Sequence, residues 1–211
     1  MEKWLFLRYR AIGDVIMAAW PITSVRLARP DAEFWFASEQ GFESAIDDVR
    51  LVQHYYLLPR KKWKNARWNL NTWRDQLKFY TGLRHIGLDF GVDFQGHTKT
   101  ALLLRLSGAK NRVQCNATDA LSKRLNPVVT TTSVHKVDQM FETLARFGEF
   151  EKPKLPIMPI RSACPTDLRG RKLITINTGS SSPDKNYPLD GWREIASKLS
   201  QNGFAVAGVG G

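Results

Sequence analysis

The chain has 211 residues, enough for one large domain or two small ones around a real hydrophobic core. Hydrophobic residues make up 43% and charged residues 24%, which excludes a disordered chain, and no apolar run approaches the ~18 residues of a membrane span. Thirty-one Lys and Arg against twenty Asp and Glu give a formal charge of +11, so the expected partner is an anion: nucleic acid, an acidic membrane surface or a phosphorylated small molecule.

The run from Leu5 to Pro21, LFLRYRAIGDVIMAAWP, reads as a buried strand, a tight turn at Gly13 and a helix start carrying Asp14. The single lysine ahead of it, followed by an apolar run of only strand length, is not the pattern of a signal peptide. In an open parallel sheet such a turn lies at the carboxyl edge, where loops surround a crevice and helix N-termini point free N–H groups into it. Asp14 has two readings there. It caps the helix, a contribution of about 0.5–2 kcal/mol, or it is a carboxylate fixed at the crevice floor as a general base. Val15, Ile16, Ala18, Ala19, Ile22, Val25 and Leu27 keep helical spacing, with Pro21 kinking the helix or opening a second segment, and 32–37 reads as the next strand. Gly13 stands alone, so the G-x-G-x-x-G dinucleotide fingerprint is absent.

A short helix is expected over 41–49 and a strand over 52–58. Arg60, Lys61, Lys62, Lys64 and Arg67 then interleave with Trp63, Trp68 and Trp73. Such interleaving suits a single-stranded nucleic acid, or sugars and phosphates, or a solvated basic loop whose indoles pack into the next helix. The pattern is helical over 69–83, and 86–94 is a strand leading into Asp93-Phe94-Gln95-Gly96. Gly96 would permit close backbone approach, and His97 to Lys99 would sit at a helix N-terminus. Asp93 and Gln95 read as a turn satisfying its own backbone, and Lys99 as the better candidate to hold an anion.

A strand at 112–115 is followed by a polar stretch, 116–132, read as loop. His135-Lys136-Val137-Asp138 opens a helix that closes at Gly148. A lone histidine of this kind is read as a structural hydrogen-bonding group near a crevice. Cys115 and Cys164 are the only cysteines and lack metal-ligand spacing, which fits a reduced, cytosolic setting with no disulfide framework or zinc site. Lys152 to Pro165 carries four prolines and reads as a stiff interdomain connector. A strand at 172–178 runs into Gly179-Ser180-Ser181-Ser182-Pro183-Asp184-Lys185, then a helix at 192–199 and a strand at 204–211. A hydroxyl-rich loop with a lysine at a helix N-terminus is either a phosphate site or a flexible serine loop, and it does not align with a Walker A motif.

Several ordered blocks together resemble the lipopolysaccharide heptosyltransferases, glycosyltransferase family 9. They are LRYRAIGDVIMAAWPITSVRLARPDAEFWF, VDFQGHTKTALLLRLSGAKNRV, HKVD, and ITINTGSSSPDKNYPLDGWREIASKL. The resemblance implies an α/β fold of GT-B architecture, two Rossmann-like domains with parallel sheets facing a cleft. The domains would be an acceptor-binding one over 1–152, a linker over 153–165 and the start of a nucleotide-sugar-binding one over 166–211. It implies transfer of heptose from ADP-heptose to the lipopolysaccharide inner core, with inversion, no metal and no cofactor beyond the donor. It favours Asp14, beside Gly13, as catalytic base over the cap. Ser180, Ser181 and Lys185 match the positions that hold the donor diphosphate; Gln95 and Lys99, with Arg60, Lys61, Lys62 and Lys64, are expected at a phosphorylated, lipid-linked acceptor, and His135 in the cleft. The enzyme would work in the cytoplasm, peripherally on the inner membrane, without nucleic acid. The chain stops before the family's D-x-G-x-x-H donor motif, about 100–150 residues earlier than expected, so it reads as a fragment without activity of its own. Rival readings are a non-catalytic sugar-nucleotide binder and a basic nucleic-acid-binding module.

Overall fold

The computed structural model describes residues 1–65, 69–159, 170–179 and 186–209. The chain divides into two compact units, Met1–Pro159 and Ile160–Gly211.

The first unit is a six-stranded sheet, all of it parallel. Its strands are β1 (Lys3–Leu7), β2 (Glu33–Glu39), β3 (His54–Leu58), β4 (Phe90–Asp93), β5 (Asn111–Cys115) and β6 (Val128–Val129), in the order β3-β2-β1-β4-β5-β6. Both faces are covered, so the strands alternate between two cores. Trp4, Phe6, Phe34 and Phe36 point to one side, where α1 (Ile12–Ala28) and α6 (Lys136–Leu144) supply Val15, Ile22, Val25, Met140 and Leu144. Leu5, Leu7, Trp35 and Ala37 point to the other, against Trp63 of α2 (Arg60–Asn65), Leu83 just beyond α3 (Leu70–Thr81), and Leu103 and Leu104 of α4 (Thr98–Leu106). A side-chain period of two on strands covered twice is what a doubly wound sheet requires. The second unit is a β-α-β element, β7 (Leu173–Asn177), α7 (Leu189–Gln201) and β8 (Ala205–Val209), its strands parallel.

Several expectations are corrected. Helix α1 is one helix through Pro21, which is buried within it, and it begins before Gly13, so the turn lies at Arg8–Ala11. Only a 3-10 turn, Glu43–Ala45, forms in 41–49. The stretch 116–132 holds a one-turn helix, α5 (Ser122–Leu125), and the two residues of β6; elements this short leave no periodicity to read. The basic-aromatic segment is folded into α2 and α3 as far as it is described. The first unit reaches past Lys152 because Ile157 and Met158 pack on its core and the Ile157 N–H donates to Thr23 Oγ1 at 2.8 Å. Among the described residues no helix is long and apolar enough to cross a membrane.

Candidate active site

The strand order reverses between β1 and β4, so the turns leaving these two strands diverge to opposite faces and leave a crevice at the carboxyl edge of the sheet. Leu7 and Asp93 are register partners, so the turns start at the same level. The first turn brings Arg8, Tyr9, Arg10 and Asp14 to the crevice; the second brings Asp93, Gln95, Gly96 and His97.

Arg8 is buried. Its Nη1 donates to the Phe94 carbonyl at 2.7 Å, and its Nη2 makes a hydrogen-bonded ion pair with Asp14 Oδ2. The N-cap of α1 is Ala11, with no side-chain cap, and Asp14 lies within the first turn, so its carboxylate is held by Arg8 rather than spent on capping. The positive end of the helix dipole favours an anion at this position. The Asp14 side chain is 25% exposed, and its Oδ1 accepts no hydrogen bond among the described residues. A Cβ added at Gly13 would meet nothing within 4 Å, so that glycine leaves space open beside the carboxylate.

Asp93 is the opposite case. It is fully buried, its Oδ1 accepts the N–H groups of Gln95 at 2.8 Å and Gly96 at 3.1 Å, and its Oδ2 has no partner among the described residues. Burial pushes its carboxyl up to about 6, against the pull of the nearby Thr100 hydroxyl, of those two N–H groups and of Arg8. Gln95 closes the crevice from below. Its Oε1 accepts the Tyr9 N–H at 2.9 Å and the Arg10 N–H at 3.3 Å, tying the β4 turn to the β1 turn. Gly96 has φ of +71°, and a Cβ there would run into the backbone of Cys115 and Asn116, so only glycine lets the turn lie this close to the end of β5.

Beside the Tyr9–Arg10 turn lies a hollow of about 310 Å³ walled by Tyr9, Arg10, Glu39, Arg60, Gln95 and Lys99 among others. A second, of about 300 Å³, shares Leu58, Arg60 and Lys99 with it and adds Trp63, Lys64, Gln76 and Tyr80. Arg60 and Lys99 thus stand between two concavities, and Lys61 reaches a third with Arg60, Glu39 and Gln40. Lys62 turns to Asp75 instead, Nζ to Oδ2 2.7 Å. Asp14 lines none of these three hollows. Trp63 packs edge-on to Phe79, at 5.3 Å between ring centroids, whereas Trp73 is exposed. The two indoles therefore divide between the core and ligand readings; Arg67 and Trp68 lie outside the described residues.

His135 is the N-cap of α6, its Nδ1 accepting the Val137 N–H at 3.3 Å. Lys99 is exposed in the first turn of α4. Ser180, Ser181 and Lys185 lie outside the described residues; next to them, the Gly179 N–H donates to Asn177 Oδ1 at 3.0 Å.

Three polar residues of the site escape sequence reasoning. Arg8 is one, although a cation closing an apolar strand, LFLR, is a usable signal of a buried partner. Glu39 is another, facing Arg10 at 3.6 Å and Arg60 at 3.4 Å. Asp119, in the stretch read as loop, accepts from the Thr98 hydroxyl at 2.5 Å and the Thr98 N–H at 3.2 Å. That hydroxyl and the Ser122 and Thr98 N–H groups hold its carboxyl well below the usual range.

A family profile described as "Glycosyltransferase family 9 (heptosyltransferase)" matches residues 76–211. The chain is similar to lipopolysaccharide heptosyltransferase 1 of Pseudomonas aeruginosa, 21% identical over 96% of this chain and 59% of that protein. It is likewise similar to lipopolysaccharide heptosyltransferase 1 of Escherichia coli K12, 22% identical over 96% of this chain and 66% of the relative. The chain therefore spans about three fifths to two thirds of these curated relatives. Among solved structures, E. coli heptosyltransferase WaaC with ADP-2-deoxy-2-fluoro heptose superposes with a TM-score of 0.80 at 21% identity, covering 99% of this chain and 69% of that one. The six-stranded parallel sheet and the following β-α-β element are thus of the GT-B class.

Proposed function

The chain belongs to glycosyltransferase family 9, and from that premise we propose that it is part of an inverting heptosyltransferase acting on the lipopolysaccharide inner core, with Asp14 as its general base. The observation that carries this reading is the state of the Asp14 carboxylate: at the strand-order reversal, fixed through Oδ2 by a buried arginine, with Oδ1 accepting no hydrogen bond among the described residues. A hydroxyl of the core oligosaccharide donates to Oδ1. As its oxygen bonds to the anomeric carbon of the donor, the hydroxyl proton passes to Asp14, the bond from that carbon to the diphosphate breaks, and ADP leaves. The hydroxyl becomes acidic only as the new bond forms, so a carboxylate is base enough to take its proton in the transition state.

Leaving-group charge would be met by Lys185 with the Ser180 and Ser181 hydroxyls and nearby backbone N–H groups, the role a metal ion takes in other transferases. Arg60, Lys61, Lys64 and Lys99, with Lys62 further out, form a cationic surface beside the crevice suited to the phosphates of a lipid-linked acceptor. The cytoplasmic face of the inner membrane is where such an acceptor and a nucleotide sugar would meet.

In a chain extended to the length of its relatives, Asp14→Asn is expected to leave ADP-heptose binding within a few fold while lowering turnover by ~10² or more. Titration calorimetry with the donor and steady-state transfer assays measure the two. Equal losses in both would make Asp14 a structural residue, unchanged turnover would remove it as the base, and donor binding without transfer by the unmodified extended chain would favour a non-catalytic sugar-nucleotide binder.

A further inference from the structure

Helix α3 has two unlike faces. One is anchored: Thr72 is buried, and Phe79 stacks on Tyr56 at 4.5 Å and meets Trp63 edge-on at 5.3 Å. On the opposite side Leu70, Trp73 and Leu77 are 80%, 59% and 64% exposed. Their i, i+3, i+7 spacing lines them up along the outer face of the helix. Exposed large side chains scattered singly need no explanation, but three in register on one helix form a patch that asks for a partner.

The charges around the patch indicate which partner. Arg74 and Lys78 are exposed and follow Trp73 and Leu77 by one residue, so they flank the stripe along its length. Lys61 and Lys64 on α2 and Arg84 beyond the end of α3 are exposed as well, and the one acidic residue of α3, Asp75, is neutralised by Lys62. An apolar stripe of Leu and Trp edged by Lys and Arg is the pattern of a helix lying in the headgroup region of a bilayer, where long basic stems reach outward to phosphates.

We infer that α3 seats the first unit on an anionic phospholipid bilayer, with Leu70, Trp73 and Leu77 entering the acyl boundary and Arg74 and Lys78 at the headgroup phosphates. This deepens the membrane part of the proposed function. It rests on that reading only for what docking achieves: Gln76 and Tyr80 on the adjoining flank of α3 wall the basic hollow, so a lipid-anchored anion would enter it without leaving the bilayer.

Cosedimentation of the 211-residue chain with vesicles of phosphatidylethanolamine and phosphatidylglycerol tests the inference. Partitioning is expected to exceed that onto phosphatidylcholine, to fall about tenfold or more in Leu70→Ser/Leu77→Ser, and to fall comparably in Arg74→Glu/Lys78→Glu at low salt. Thermal unfolding without lipid checks that the variants keep the fold. Should the leucine variant not fold, comparison of the unmodified chain with Trp73→Phe still decides. Quenching of its tryptophan fluorescence by brominated phosphatidylglycerol is expected to be largely lost in Trp73→Phe. Equal partitioning of wild type and leucine variant, or quenching unaffected by Trp73→Phe, overturns the proposal. So does a lipid-free dimer that the leucine variant makes monomeric, since a second copy would then own the face. Transfer to a lipid-free core oligosaccharide by the extended chain should be unchanged in Leu70→Ser/Leu77→Ser. Absence of that transfer beside intact vesicle binding would count against the transferase reading and leave the docking face in place.

Discussion

Two turns at the same edge of the same sheet, one leaving β1 and one leaving β4, each carry an aspartate and a glycine, and they use them in opposite ways. In the β4 turn nothing is offered to solvent: Asp93 is fully buried, with Oδ1 on two backbone N–H groups and Oδ2 without a partner among the described residues, and Gly96 is present because a side chain would strike Cys115 and Asn116. In the β1 turn, Asp14 keeps one oxygen unengaged among the described residues at a partly exposed position, and a side chain at Gly13 would meet open space. Residue type alone does not separate these two carboxylates, and neither does a spare oxygen, which both keep; whether a ligand can reach that oxygen does.

Substitutions that exchange these properties test the contrast. The largest effect is expected at Gly96→Ala, where positive φ and a backbone collision combine to destabilise the first unit by about 3–5 kcal/mol; urea denaturation followed by tryptophan fluorescence reads it. Asp93 should give nearly as large an effect, but one that depends on pH. Its folded-state pKa of about 6 lies above the ordinary 3.8, so the fold is favoured by protonation of this group. Its contribution is full below about pH 4 and lost as pH rises through 6, a change of ~3 kcal/mol. Asp93→Asn, which keeps an oxygen for the Gln95 and Gly96 N–H groups, is expected to flatten that part of the pH–stability curve. A curve as steep as wild type would assign the dependence to another group.

Smaller effects belong to the bridge between the turns. Gln95→Ala removes the acceptor for the Tyr9 and Arg10 N–H groups and is expected to lower transfer by the extended chain about tenfold, mostly in kcat. Gln95→Glu retains an acceptor at the same place and should recover most of the loss. If Gln95 instead meets an anionic acceptor through its amide N–H, the glutamate variant will raise KM. The smallest change is expected at Gly13→Ala: a gain of ~0.5–1 kcal/mol in helix stability, visible as a higher urea midpoint, accompanied by a raised acceptor KM where the added methyl occupies the open space.

Much of this arrangement is legible in the residues. The β1 and β2 runs are apolar at consecutive positions, as doubly covered strands must be, and the strand–turn–helix order of 5–21 is legible, although the turn falls at Arg8–Ala11, ahead of the expected Gly13. The Gly96 reading survives because close approach leaves a glycine and nothing else. What stays hidden is long-range pairing. Nothing local says that Arg8 reaches Asp14 and Phe94, that Gln95 spends its carbonyl on a turn 85 residues earlier, or that Glu39 faces two arginines. The basic-aromatic segment misleads for a related reason: Trp63 and Trp73 are alike in sequence, and only the packing of Phe79 and Tyr80 decides which indole is covered.

The double engagement of Arg8 has a kinetic consequence. Because one guanidinium holds both the Asp14 carboxylate and the Phe94 carbonyl, the carboxylate is fixed in one orientation before any ligand arrives. The entropy of aligning it is spent once, during folding, and not again at each turnover. If Asp14 is the base proposed above, an arriving hydroxyl meets a proton acceptor that needs no realignment of its own.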